Sequence, residues 1–494
     1  MSGDVLLGLV MLVVMIGAIF IGFPISFTLL FLALAFGYFG LGDVVFSLAY
    51  FQTIGLMKEE LLAAVPMFIF MGYITEQAGL MERLFIALRL LLAPIRGSLF
   101  AVVILTATIF AMATGIVGAA VTVLGIMASP IMIKARYDGA LAAGCITAGG
   151  TLGILIPPSV MLIVMGPVLG VSVADLYASA FGPGFLLAGF YLAYLLGRAF
   201  FNPALGPPVP REERVHSVPV IVKEVILGVV PLLCLIAAAL GSILAGLATP
   251  TEAAGIGALG ALALTAAYRK LSYAGLKKAV LATTATSSMV LLLAMTSNIF
   301  GAVFSRLGTA TWITDWMLAL PLSPVVMLLV VIFLIFLLGW PFEWPAIVLI
   351  FLPIFYPVMD ALKPALGASL GIPADFVMVW FGALVAVTLQ TAFLSPPVAM
   401  SAYYLRQVVK EWSLATIYKG MFEFMVLQCI AIALLIVFPA IATWFPEHLR
   451  DEARAVKTEQ VDDSANRLEE DPHKAAQEQA GEEAKPDLGD EVKK

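Results

Sequence analysis

Histidine is nearly missing from this chain. The three among its 494 residues, His216, His448 and His473, all lie outside the apolar runs, which excludes a histidine-built metal centre or catalytic triad within those runs. No glycine-rich ATP-binding loop occurs, so any work the chain does draws on an ion gradient or a partner. Cysteine is as scarce: Cys145, Cys234 and Cys429 each sit in an apolar run, so neither a disulfide framework nor a thiolate metal site is indicated and they read as small core residues. Charged residues make up 12%, against roughly 25% in an ordinary soluble domain. An enzyme has little to be built from, and no nucleic acid is expected as a partner.

Hydrophobicity stands in place of charge, at 62% of residues, which marks a polytopic membrane protein. The start, Met-Ser-Gly-Asp before Val5–Phe20, has no basic segment, so the first apolar run is expected to be a retained span. The net charge of −6 belongs to one end. Residues 1–446 hold 19 Lys+Arg and 18 Asp+Glu, whereas 447–494 hold 8 and 15. That acidic tail, nearly free of large apolar residues, is expected to be solvated and mostly disordered.

Two apolar runs carry the same interruption. Gly149–Ser159 reads GGTLGILIPPS, and Thr388–Pro397 reads TLQTAFLSPP. The prolines Pro157, Pro158, Pro396 and Pro397 lack N–H donors, so they free the carbonyls four residues back, those of Gly153 and Ile154 in the first run and of Ala392 and Phe393 in the second. Broken helices are therefore expected within 140–169 and 375–409. Matched breaks in two halves are the best pointer in a sequence to an ion and solute site.

Each broken run follows an apolar segment that folds back on itself. Residues 98–133 break at Ala113-Thr114-Gly115, and 323–360 break at Gly339-Trp340-Pro341-Phe342-Glu343-Trp344-Pro345. Both read as re-entrant hairpins. Gly22-Phe23-Pro24 splits the first two spans, because one helix through both would be about 54 Å long against a core of about 30 Å. Further spans are expected near 61–80, 177–198, 222–246, 252–267, 279–304 and 415–443, with interfacial stretches at 42–57, 81–94 and 312–320. Thr249-Pro250-Thr251-Glu252 has the pattern of a capping box with proline at the first helical position. Trp340, Trp344 and Trp380 read as members of interfacial belts.

With the N-terminus outside and both hairpins re-entering, sixteen Lys and Arg fall on inner connections and three, Lys58, Arg306 and Lys363, on outer ones. The same arrangement inverts one half relative to the other. The expected fold is thus an all-α polytopic membrane protein with two inverted-topology repeats, 1–200 and 222–445, each holding a hairpin and a discontinuous helix. A cytoplasmic linker, 201–221, and the tail, 446–494, complete the chain.

With these elements in place the chain resembles the large membrane subunit, DctM-like, of tripartite ATP-independent periplasmic (TRAP) transporters. The stretches that carry the resemblance are VPMFIFMGYITEQAGL (65–80), ATGIVGAAVTVLGIMASPIM (113–132), AGGTLGILIPPSVMLIVMG (148–166), ATPTEAAGIGALGAL (248–262) and LQTAFLSPPVAMSAYYLR (389–406). The resemblance implies sodium-coupled import of a small organic acid by an elevator-type motion in the bacterial inner membrane. It also implies two partners, an extracytoplasmic (periplasmic) solute-binding protein and a small four-helix membrane subunit, and no cofactor beyond Na+ as coupling ion. The family's first hairpin tip often reads Ser-Gly-Ser-Ser, whereas this one reads Thr114-Gly115-Ile116-Val117, two hydroxyls short. A stand-alone carrier of citrate, dicarboxylate or arsenite type is the other reading of the same elements.

Sodium takes oxygen ligands, which broken helices supply without a buried carboxylate. Candidates are Thr114 and Gly115 with Gly149, Gly150, Thr151 and Gly153 at one break, and Gly339 with Gln390, Thr391 and Ser395 at the other; no transition metal is expected. The competing reading is that the glycines permit close packing and the hydroxyls bond their own helix. Glu343 is either an intramembrane functional carboxylate or a cap on the following half-helix. Glu252 reads as a cap. With both termini outside, a fluorescent reporter that matures only in the cytoplasm should stay dark when fused after Lys494; a bright fusion would reverse the orientation.

Overall fold

The apolar runs are helices, as a medium without water to satisfy backbone groups requires. A computed structural model describes residues 3–115, 117–208, 217–396, 399–452 and 454, with the Thr114 side chain, Pro397, residues 209–216 of the linker and the tail from 455 onward outside the described residues. Among the described residues there is no strand. Eight helices are long and apolar enough to cross a bilayer, and the pair Glu60–Gln77 and Leu80–Leu92, bent by 60°, makes a ninth if it is one span.

The first half comprises α1 (Gly3–Ile21), α2 (Ile25–Leu41), α3 (Val44–Met57), α4 (Ala64–Gln77) and α5 (Leu80–Leu92), then the hairpin α6 (Ser98–Thr114) and α7 (Val117–Lys134). The broken helix follows as α8 (Gly139–Thr151), a 3-10 turn Leu152–Ile154 and α9 (Val160–Leu169), and α10 (Val173–Phe201) closes the half. The second half runs α11 (Val218–Leu244), α12 (Pro250–Ala267), α13 (Tyr273–Arg306) and α14 (Thr309–Leu318), then the hairpin α15 (Pro324–Leu338), α16 (Trp344–Ala346) and α17 (Leu352–Leu370), joined by a π-helical stretch Ile347–Phe351. Its broken helix is α18 (Val377–Leu394) with α19 (Met400–Val408), and α20 (Leu414–Val437) follows. Both expected hairpins and both breaks are present, the second hairpin reaching ten residues past its expected end at 360. From Trp444 the chain is a separate unit, helical over its described residues 444–452, with the Trp444 ring stacked on His448.

Local chemistry sets several helix starts. Thr249 Oγ1 accepts from the Glu252 backbone N–H at 3.3 Å while the Glu252 carboxylate accepts from the Thr249 N–H at 2.8 Å, the expected capping box. Asp138 caps α8 through the Leu141 N–H at 2.9 Å. Gly97 and Gly79 stand in the left-handed region just before α6 and α5.

Contacts at the helix ends show the inversion. At the base of the first hairpin the Leu99 N–H donates to the Tyr137 hydroxyl, and Asp138 and Gly97 bond to Leu205 and Gly206 beyond α10. The start of α8 rests there against Trp412. The end of α9 lies at the other face, where Leu169 and Leu176 meet Gly382 of α18 and where Gly367, at the base of the second hairpin, abuts Ile372 and Val377. Hence α8 to α9 runs from the first face to the second, and α18 to α19 runs back. Arg96, Lys134, Arg136 and Arg198 all flank the first face.

Two expectations change. Trp380 is in no interfacial belt: it is fully buried and its Nε1 donates to the Leu435 carbonyl at 3.0 Å, because α18 is enclosed on every side. Cys234 and Cys429 are exposed rather than core residues, and only Cys145 is buried.

Small residues set the spacing of the inner helices. A Cβ at Gly420 of α20 would collide with the Ala140 carbonyl, and one at Gly144 of α8 would lie 2.7 Å from the Phe424 ring. Gly420→Ala should therefore push α8 and α20 apart and lower thermal stability by about 1–3 kcal/mol. Gly189→Ala, where nothing lies within 4 Å, should leave the melting temperature unchanged; equal losses in the two variants would show that the α8–α20 spacing is not set by this glycine.

Candidate functional site

The interrupted elements meet around one cavity of about 140 Å³. Gly115, Val117 and Gly118 come from the first hairpin tip, Ile154 and Val160 from the first break, Glu343, Trp344 and Pro345 from the second tip, and Phe393, Met400 and Tyr404 from the two sides of the second break. Helices α4 and α13 close it through Ile69 and through Thr286, Met289 and Val290. A second cavity of about 430 Å³ adjoins it at Glu343 and Pro345, under the turn between α1 and α2.

Helix polarity gives this cavity its electrostatics. Val117, Val160, Trp344 and Met400 are the first residues of α7, α9, α16 and α19, and all four line it. Each helix start carries about half a positive charge and unsatisfied N–H groups, so four partial positive charges converge on one small space. Gly115, Ile154 and Phe393 bring the ends of α6, the 3-10 turn and α18 to the same space, with their carbonyls. No Lys or Arg lines either cavity among the described residues. The arrangement can hold a carboxylate on N–H groups and a small cation on carbonyls without fixed basic residues.

At the first break, Gly115 has φ +61°, and a Cβ there would lie 3.4 Å from the Pro158 carbonyl oxygen and 3.8 Å from that of Gly153. The first tip therefore faces two break carbonyls. The Ile154 carbonyl, expected free, accepts the Ser159 hydroxyl at 2.5 Å. The Pro157–Pro158 peptide is cis. Gly149 packs on Ala107 and Gly150 on Val121, which wedges α8 between the two hairpin helices. Thr151 donates to the Ala148 carbonyl at 2.8 Å. Thr114 is placed by its backbone at the end of α6.

At the second break, the Thr391 hydroxyl donates to the Thr388 carbonyl and that of Ser395 to the Thr391 carbonyl, both at 2.6 Å, so both are committed to their own helix. A Cβ on Gly339 would lie 3.0 Å from that of Ala392, so the two pack closely, and Pro396 is exposed at the turn. Gln390 differs from all of these. It is fully buried, and among the described residues neither its Oε1 nor its Nε2 has a partner. A buried amide left so forfeits about 1–3 kcal/mol of hydrogen bonding, which a bound ligand can restore.

Glu343 precedes α16 but makes no capping bond, and its side chain is accessible from both cavities. The capping reading therefore fails. Trp344, expected in a belt, lines the cavity instead. Sequence reading missed Tyr404, Tyr73 and Thr286. The Tyr404 ring lies 3.0–3.2 Å from where a Cβ on Gly118 would sit, so it bridges the two repeats, and its phenol is within electrostatic reach of Glu343 and Tyr73. Tyr73 and Thr286 join their hydroxyls at 3.1 Å across α4 and α13. The tyrosine pair Tyr403-Tyr404 just past the break was the one available signal.

The sequence profile described as tripartite ATP-independent periplasmic transporter, DctM component, matches residues 12–441. The chain is 30% identical over 435 residues to the sialic acid TRAP transporter large permease protein SiaM of Vibrio cholerae, covering 87% of this chain and 96% of that protein. It is 28% identical over 412 residues to the C4-dicarboxylate TRAP transporter large permease protein DctM of Pseudomonas aeruginosa, covering 82% and 91%. The solved YdaH transporter of Alcanivorax borkumensis is similar in fold, with a TM-score of 0.54 over 82% of this chain and 90% of that one, at 16% identity. If the tip of the first hairpin must approach the break carbonyls, Gly115→Ala, strained by about 1 kcal/mol or more in the left-handed region, should sharply reduce solute uptake in vesicles while membrane insertion stays normal; undiminished uptake would remove the tip from the site.

Proposed function

Because the chain belongs to the DctM component family of tripartite ATP-independent periplasmic transporters, we propose that it is the large permease subunit that imports a small organic acid by sodium-coupled symport. The family is one of transporters, not enzymes. The observation that carries the reading is the meeting of four helix starts around a cavity that, among the described residues, no Lys or Arg lines, with the Gly153 and Pro158 carbonyls facing its lining residue Gly115. The helix starts suit a carboxylate, and the carbonyls suit sodium. The two relatives compared above are named for sialic acid and C4-dicarboxylates, both carboxylates.

Charge balance supports the coupling. Among the described residues Glu343 is the one formal charge lining the central cavity. An ionised Glu343 and a substrate carboxylate about 4 Å apart repel by about 4 kcal/mol at an effective dielectric of 20. A cation bound between them removes that penalty, so substrate and sodium favour each other's binding. Gly115 with the Gly153 and Pro158 carbonyls forms one cation position; Glu343 and Gln390, near the second tip and break, serve the other.

An extracytoplasmic solute-binding protein delivers the acid at the face opposite the basic one, and a small four-helix membrane subunit completes the complex in the bacterial inner membrane. The two hairpins and broken helices move together as an elevator against α4 and α13. In proteoliposomes holding the three components, an imposed inward sodium gradient should drive uptake of sialic acid or a C4-dicarboxylate, and Glu343→Gln should raise the half-saturating sodium concentration severalfold. A sodium curve unchanged by that substitution would remove Glu343 from the ion site, and uptake indifferent to sodium would overturn the coupling.

A further inference from the structure

We propose that Gln428 of α20 and Tyr191 of α10 are positioning residues that hold the end of α8, and with it the carbonyls of the first break, in their ion-binding orientation. The inference rests on the reading of that break as a sodium position. Gln428 and Tyr191 are both fully buried, and Gln428 Nε2 donates to the Tyr191 hydroxyl at 2.9 Å. On its other side the Tyr191 phenol stands close enough to the Thr151 hydroxyl to interact with it. Thr151 is the last residue of α8, two residues before the Gly153 carbonyl that faces the Gly115 tip. Three helices are thus tied through polar atoms at one level, immediately behind the break.

Packing alone does not require this link. The approach of α8 to α20 is already fixed by Gly144 against Phe424 and by Gly420 against Ala140. Tyr191 already packs edge-on against Phe424, with ring centroids 5.1 Å apart. The amide adds a cost instead, because Gln428 Oε1 is buried with no partner among the described residues. An apolar residue of similar shape would avoid that desolvation. What the amide contributes is direction: it fixes the phenol on the side where Thr151 ends α8. When the prolines are aligned, Gln390 occupies the place of Thr151 in the second repeat, and among the described residues its amide is held by no such link. The first break is therefore held ready by the protein, and the second is not.

The test is thermal unfolding of the detergent-solubilised full chain over a sodium chloride series, with potassium chloride keeping ionic strength constant. Gln428→Leu should raise the half-saturating sodium concentration for stabilisation about fivefold, the equivalent of one neutral hydrogen bond. Tyr191→Phe, which removes a single oxygen and keeps the ring packed, should do the same, and the double variant should be no worse than either. A residue with a merely structural role would lower the melting temperature in potassium and leave the sodium midpoint where it was. An unchanged midpoint in Tyr191→Phe overturns the inference while leaving the sodium reading intact. Absence of any sodium-specific stabilisation in the unsubstituted chain overturns that reading and this inference with it.

Discussion

A backbone carbonyl or N–H without a partner is costly in hydrocarbon, where no water can replace the lost bond. This chain nevertheless interrupts helices at the tips at Gly115 and Glu343 and at the breaks after Ile154 and Leu394. The arrangement around them follows from that constraint. The interruptions are gathered at one cavity, shielded by α4 and α13, and α18 is buried along its whole length so that its end can stop there. Spans that make no such break, α1 and α2 among them, turn large apolar side chains outward instead.

The gathering also accounts for the scarcity of charge. Four helix starts at one cavity provide the positive potential that a buried arginine would otherwise have to supply, without desolvating a guanidinium. The ends of the preceding helices provide oxygen. Among the described residues one acid, Glu343, remains at the cavity, and its side chain is spent there neither on capping nor on an ion pair. Opposite partial charges built from backbone, with a single carboxylate between them, suit a cation and an anion that bind together.

The two repeats share this plan but divide the work unevenly. In the first, the Ser159 hydroxyl takes one freed carbonyl and the Gln428–Tyr191 pair backs the end of α8. In the second, Thr391 and Ser395 turn back onto α18, and the buried amide of Gln390 is left with four hydrogen-bonding positions and no partner among the described residues. Repeats alike in backbone thus differ in which side chains remain available to a ligand.

The sequence by itself determined the all-helical membrane class, both hairpins, both breaks, the Thr249–Glu252 capping box and the family. Each rests on short-range chemistry: run length against bilayer thickness, the missing proline N–H, a hydroxyl three residues from a carboxylate. The tertiary structure decided which oxygens at the breaks are free. Thr391 and Ser395 could have faced a ligand or their own helix, and only the packed rotamers choose. Gly149 and Gly150 are adjacent in sequence yet face two different helices, α6 and α7. Tyr404 reaches Gly118, Trp380 reaches Leu435 and Gln428 reaches Tyr191 across separations that no local pattern encodes, because the partner of a buried polar or aromatic group is fixed by how distant helices pack.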